Sequence, residues 1–201
     1  MSATAHATKA QVRAQVLAAR RALGPAEHQR AGLRMTRLLL DLEDLGTARC
    51  VAAYLSFGTE PSTAEFLDRL RSEGIRVLVP VLREDLDLDW AIYVGPHGVA
   101  RDEPGPPRPT GPLLGVDALA EADVVVVPAL AVGADGTRLG RGGGSYDRAL
   151  ARVPAGRPVV TLLYDGELLP AVPTERHDRR VDVVVAPAGV HRFGQAVGSR
   201  A

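Results

Sequence analysis

DVVVVPALAVGADGTRLGRGGGSYDRAL, residues 123–150, carries the reading that decides the fold. Residues 124–127 are an unbroken valine run. A strand with one wet face alternates apolar and polar side chains. A continuous run is buried on both faces, as in a parallel sheet covered by helices. Asp135-Gly136 is a turn pair. Gly140, Gly142, Gly143 and Gly144 carry no side chain to block a ligand, and their successive amides can form an anion-holding concavity. A helix is expected from near Ser145, and its N-terminus adds unpaired N–H groups and partial positive charge. Arg138 and Arg141 offer forked donors for phosphate oxygens. Strand, glycine loop and helix together point to a polyphosphate. A flexible loop with solvated arginines is the plainer alternative. The spacing is neither GxxxxGK[ST] nor GxGxxG.

Outward from this segment the chain alternates strands and helices. Residues 49–55, 75–80 and 89–94 read as strands before it, and 158–164 and 181–186 as strands after it. Residues 8–23 place Val12, Val16, Ala19 and Leu23 at helical spacing. Lys9 and Arg13 are four apart and share a face. Pro25 opens a second helix to about Leu42, with Leu33 and Leu40 facing inward. Ser62 or Thr63 caps a helix through Ser72, closed by Gly74. Residues 104–112 hold five prolines and read as an extended loop. Residues 187–201 read as a frayed tail. The sum is an α/β fold in a single domain over residues 1–201, with 1–7 a flexible tail, built on a mainly parallel sheet of about six strands flanked by helices. Ligands in such sheets bind beyond the strands' carboxyl ends.

Composition narrows the classes. The 24 Lys+Arg balance 24 Asp+Glu, which argues against a broadly cationic nucleic-acid binder. No apolar run reaches the ~18 residues of a membrane span. The single cysteine, Cys50, excludes a disulfide framework and reads as a buried thiol. Only one basic residue is lysine, Lys9; the rest are arginine. The first acidic residue is Glu27, so the N-terminus has an acid-poor character, but a short tail before the first helix is the preferred reading over a transit peptide, and cytoplasmic residence is expected.

Three carboxylates are candidates on residue type and place. Asp147, in the first turn after the glycine loop, is a helix-dipole carboxylate or a hard oxygen ligand for the Mg²⁺ that accompanies a nucleotide. Asp178 precedes the last strand beside Arg176 and Arg179, where a surface ion pair is the plainer reading. Glu60, in YLSFGTEPST (54–63), follows the first strand beside Tyr54 and Phe57. It is a solvated loop carboxylate, or one that pairs with an amidine-like edge, as in a pterin, with aromatic rings stacked on the ring plane.

These residues resemble the 5-formyltetrahydrofolate cyclo-ligase (5,10-methenyltetrahydrofolate synthetase) family. Its stretch GxRLGxGxGYYDxxL stands here as GTRLGRGGGSYDRAL, residues 136–150. A KxxxR pair matches Lys9 and Arg13, YLSFGTEPST matches a segment ending in Glu and Thr, and residues 98–104 resemble a G-x-x-EP element at Glu103-Pro104. LLPAVPTERHDRRVD, 168–182, matches a late L-P-x-x-x-x-D-x-x-V-D. The resemblance implies the NagB/RpiA/CoA-transferase-like architecture and a reaction in which ATP's γ-phosphoryl group goes to the formyl oxygen on N5, N10 attacks the activated carbon and phosphate leaves. It implies Lys9, Arg138 and Arg141 as catalytic cations, and ATP bound by Lys9, Arg13, Arg138, Leu139, Gly140, Arg141, Gly142, Gly143, Gly144, Ser145 and Tyr146. Leu55, Glu60 and Tyr146 would face the folate, and Asp147 and Asp178 would hold Mg²⁺. A monomer acting on 5-formyltetrahydrofolate and ATP is expected, with neither nucleic acid nor membrane as partner.

Two departures stand out. Ser145 replaces the first of two tyrosines, which opens the alternative of an ATP-binding paralogue with another substrate or weak activity. Glu167 replaces a frequent Gln, either without consequence or adding a carboxylate near the metal.

Overall fold

The computed structural model describes residues 8–101, 105–175 and 179–194. The expected tail at 1–7, the Glu103-Pro104 pair and Asp178 lie outside these residues.

The valine-rich runs do become buried strands. In chain order the large sheet uses β1 (Cys50–Ala53), β2 (Arg76–Leu82) and β3 (Leu88–Ile92). Two short strands follow, β4 (Val99–Ala100) and β5 (Arg108–Pro109), then β6 (Val124–Pro128), β7 (Ala131–Gly133), β8 (Arg138–Leu139), β9 (Val159–Leu162), β10 (Leu168–Leu169), β11 (Val183–Ala186) and β12 (Gly189–Arg192). The large sheet runs β12-β11-β9-β6-β1-β2-β3. Its five inner strands are parallel, and β3 and β12 close the edges antiparallel. Three details differ from the sequence reading. Residues 189–192 form an edge strand, since Val190 pairs with Val185 along the ladder although its side chain is left half exposed. Within the proline-rich loop, Arg108 and Pro109 pair with β4, an edge pairing that proline's missing N–H permits. Finally, β7, β8 and β10 make a small separate sheet.

Helices α1 (Lys9–Ala22), α2 (Pro25–Leu40), α3 (Glu43–Gly46), α4 (Ala64–Ser72) and α5 (Ser145–Leu150) cover the sheet and its carboxyl end. Phe66, Leu67 and Leu70 of α4 are buried against β1 and β2 side chains in the main core, each contributing about 1.5–3 kcal/mol. In α2 the buried residues are Gly32, Met35, Thr36 and Leu39; Leu40 packs against the core as expected, but Leu33 is 41% exposed, so the stripe is rotated at its start. Gly32 explains the rotation: its missing side chain lets α2 approach Ser62, whose Cβ would sit 3.2 Å from an added methyl. In α1 the stripe is Val12, Val16 and Arg20, and Ala19 is exposed. No helix among the described residues is long and apolar enough to cross a membrane.

The chain order places β1 and β2 on one side and β6, β9 and β11 on the other. The sheet therefore reverses direction between β1 and β6, the switch point at which open α/β sheets form a crevice.

Candidate active site

A cavity of about 940 Å³ opens at that point, lined by Tyr54 and Leu55 after β1, by the end of β2 and by Pro128, Ala129 and Leu130 at the end of β6. Lys9, Arg13, Leu55, Glu60 and the whole run 138–147 line it. The structure thus gathers every described candidate for ATP, folate or metal binding into one space.

The cationic wall starts at α1. Thr8 caps the helix: its Oγ1 accepts from Gln11 N–H at 3.3 Å and the Gln11 side chain accepts from Thr8 N–H at 2.8 Å. This ordered first turn presents Lys9, whose Nζ lies 3.3 Å from Glu175 Oε1, and Arg13, whose Nε donates to Gly140 O at 2.9 Å. The helix is thereby tied to the glycine loop. Gly142 has φ +107°, and an added Cβ would lie 3.3 Å from the Arg13 guanidinium. Gly142→Ala is expected to weaken nucleotide binding about tenfold, with little change in melting temperature, as read by titration with an ATP analogue.

The hairpin β7–β8 delivers the next two residues. Gly136 turns at φ +83°, and Asp135 holds the turn by accepting from Thr137 N–H and Oγ1. Arg138 is then directed inward and is 4% exposed. Its Nη1 donates to Pro128 O at 3.1 Å and its Nη2 to Asp147 Oδ1 at 2.7 Å. Arg138 therefore clamps the end of β6 to the start of α5 with a positive charge under the loop. Asp147 also accepts weakly from Arg179 N–H at 3.4 Å. Tyr146 lies beneath the Arg138 guanidinium, 5.9 Å from Cζ to ring centre, and burial, followed by the charge of Glu60, pushes its phenol pKa up.

The opposite wall is the 54–63 loop, which is bonded to itself. Thr63 Oγ1 donates to Tyr54 O at 2.7 Å, Ser56 and Thr63 exchange backbone-to-side-chain bonds, and Tyr54 OH donates to Pro61 O at 2.8 Å. Glu60 is fixed by this frame. Its Oε2 accepts from Phe57 N–H at 3.2 Å and its Oε1 from Arg141 Nε at 3.2 Å. Burial raises the Glu60 pKa, opposed by the Phe57 N–H and by the charges of Arg141 and Arg20. Leu55 packs beside it against the core.

Sequence reasoning missed Arg20. It lines the same cavity, is 1% exposed, and makes a side-on pair with Glu167, Nε to Oε1 and Nη2 to Oε2, both at 2.7 Å. Its Nη2 also reaches Ala129 O at 2.8 Å, and Glu167 accepts from Tyr164 N–H at 2.8 Å. His28 Nδ1 meets Tyr164 OH at 2.7 Å behind this pair. Glu167 is therefore Arg20's counter-charge. The helical spacing Val12, Val16, Arg20 was the available signal, because an arginine on an apolar stripe needs a buried partner.

Asp147 lines the cavity and could add a carboxylate to an ion held chiefly by phosphates and water, the usual way Mg²⁺ is bound. Among the described residues no cluster of three or more His, Cys, Asp or Glu could hold a metal by itself. Within the described residues this donor suits an ion that arrives on a phosphate chain.

The fold is shared with 5,10-methenyltetrahydrofolate synthetases of Aquifex aeolicus and Mycoplasma pneumoniae. The TM-scores are 0.79 at 24% identity, covering 96% of this chain and 97% of that one, and 0.71 at 20% identity, covering 88% and 97%. In sequence the chain is 38% identical over 185 residues to the 5-formyltetrahydrofolate cyclo-ligase of Mycolicibacterium smegmatis, covering 90% of this chain and 94% of the relative. It is 30% identical to that of Escherichia coli, covering 85% and 96%. Residues 5–187 match the model of the 5-formyltetrahydrofolate cyclo-ligase family, and the chain belongs to that family.

Proposed function

We propose that the protein is a ligase converting 5-formyltetrahydrofolate and ATP into 5,10-methenyltetrahydrofolate, ADP and phosphate. One observation carries the reading: a single cavity joins a glycine nest flanked by Lys9, Arg13 and Arg141 to a wall bearing Glu60, Leu55 and Phe57. The first set suits a polyphosphate, and the second a flat ring with a donor edge.

An amide oxygen is a poor leaving group, and its phosphorylation makes it a good one. Phosphoryl transfer depends on positioning and charge neutralisation more than on covalent help from the protein. Lys9 and Arg141 neutralise the transferring group, Arg13 and the amides of 140–144 hold the phosphate chain, and Arg138 fixes loop and helix while contributing positive charge. Tyr146 and Leu55 enclose the folate, and Glu60 accepts from its ring edge. Asp147, with Asp178, would hold the nucleotide's Mg²⁺, which supplies further charge neutralisation. N10 then attacks the activated carbon and expels phosphate. A monomeric single domain acting in the cytoplasm is part of the same proposal. Zero net charge supports small-molecule partners in place of nucleic acid or membrane.

The test is direct. The protein is mixed with 5-formyltetrahydrofolate, Mg²⁺ and ATP, and the near-ultraviolet absorbance of the methenyl product is followed. ATP-dependent growth of that band is expected; ATP binding without product would move the assignment to a paralogue with another substrate, the alternative that Ser145 raises.

Glu60 gives a pH signature. Its pKa is raised in the folded protein, so acidification protonates it above the ordinary carboxylate range, near 4.3 for glutamate, and the ring-edge acceptor is lost. Folate affinity is expected to fall on mild acidification in the wild type and to be low but pH-flat in Glu60→Gln. The stability sign is opposite. A raised folded pKa contributes stability below the unfolded pKa that is lost as pH rises through the folded one. Protonating Glu60 thus favours the fold, and the circular dichroism signal should persist while binding falls.

A further inference from the structure

The two walls of the cavity touch at one point. Arg141, from the glycine loop, donates through Nε to Glu60 Oε1 at 3.2 Å and lies over the Phe57 ring at 4.8 Å. The side-chain exposures are unequal: 45% for Arg141 and 6% for Glu60. A buried carboxylate needs a donor partner, while a half-exposed guanidinium can leave into water at little cost. Arg141 stands between Gly140 and Gly142, which have no side chains to block its guanidinium from turning away from Glu60.

We propose that Arg141 is a substrate-sensing residue: it occupies the ring-edge position on Glu60 until the folate displaces it, and the released guanidinium then engages the nucleotide. This rests on the function proposed above. A guanidinium and the amino–N–H edge of a pterin are both planar forks of donors that suit a carboxylate, and both are flat enough to stack on Phe57. The Arg141 guanidinium fills the space between Glu60 Oε1 and the Phe57 ring, the same space that a flat ring paired with Glu60 and stacked on Phe57 would take. The two compete for that place and not for a count of lone pairs. Once displaced, Arg141 stands on the same glycine nest as the phosphates, beside Lys9 and Arg13. Only a ligand with a forked donor edge completes the exchange, so ring identity is checked before the phosphoryl group is stabilised. ATP without folate meets an incomplete set of cations.

Displacement makes the two ligands help one another, and linkage makes the help reciprocal. Calorimetry with a non-hydrolysable ATP analogue and 5-formyltetrahydrofolate, separately and together, reads it. In the wild type, saturating folate is expected to tighten the analogue about tenfold, within the usual range of such couplings. In Arg141→Ala the folate should bind several-fold tighter, because its competitor is gone, the analogue alone should bind about as in the wild type but more weakly than the wild type once folate is present, and the coupling factor should fall to about one. An unchanged coupling factor in Arg141→Ala, or folate affinity unchanged or weakened, overturns the proposal. The outcomes separate it from the reading beneath. A wild type that binds no folate and makes no methenyl product sinks the function itself. A wild type that turns over but shows no coupling sinks only the sensing role.

Discussion

Glu167→Leu is expected to destabilise the fold by about 3–5 kcal/mol, lowering the melting temperature by about 6–20 °C in a chain of this size. The reason is the charge it leaves behind. Arg20 is 1% exposed and cannot discard its proton: burial works to lower its pKa, but the hydrogen bonds and charge of Glu167 outweigh burial and hold it above the ordinary value. Without Glu167 the guanidinium keeps one acceptor, Ala129 O, and Tyr164 N–H loses its own. The reciprocal change, Arg20→Leu, leaves Glu167 with the Tyr164 N–H donor, so its cost should be smaller. The double Leu variant should lose less than Glu167→Leu alone, since removing both buried charges avoids the uncompensated one. Urea denaturation of the three variants measures all of this. Equal melting of Glu167→Leu and wild type would show that the pair does not hold the fold.

The pair also has a functional consequence. Arg20 anchors α1 to the chain just after β6 and to the turn after β9, and the first turn of that helix carries Lys9 and Arg13. The helix that carries the cations proposed to face the phosphates is thus docked by an ion pair whose arginine lines the same cavity.

How much of this was legible depended on distance along the chain. The valine runs at β6 and β11 announce themselves because strands buried on both faces contain little else, and the glycine loop is legible because its parts lie within a few residues. The edge strand at 189–192 was not, since GVHR carries no strand-like alternation and is ordered by pairing with β11. Arg20 and Glu167 lie 147 positions apart and Arg141 and Glu60 81 apart, so only folding shows that each carboxylate has a guanidinium partner. The helical stripe of α1 was read through Ala19 because alanine is apolar; the fold instead continued Val12 and Val16 into Arg20, whose partner made burial possible. Resemblance nominated the site residues but could not say that Arg138 binds Asp147 and Pro128, or that Glu167 pairs with Arg20 as a structural counter-ion.

Lys9→Arg should cut kcat about 10²-fold while the melting temperature stays within a few degrees. Lys9 is the chain's one lysine, at the first position of α1, and its ammonium is 16% exposed beside Glu175. A side chain in a helix's first turn that packs no core contributes little to the fold, and arginine is as good a helix former as lysine. The loss therefore concerns shape. An ammonium is a compact charge with three rotatable donors, which can follow a phosphoryl group as charge shifts during transfer. A guanidinium is longer and planar, and its donors point in fixed directions. With Arg13 Nε already bound to Gly140 O one turn along, a second guanidinium would have to share the space between that residue and Glu175. Losing one preorganised donor to a transition state typically costs 10²–10³ in kcat. KM for the folate should hardly change if, as proposed, Lys9 serves the phosphates and Glu60 the ring. Initial rates with the folate varied at saturating ATP separate the two quantities. Unchanged kcat, or a loss carried by the folate KM, would remove Lys9 from the group that neutralises the transferring phosphate.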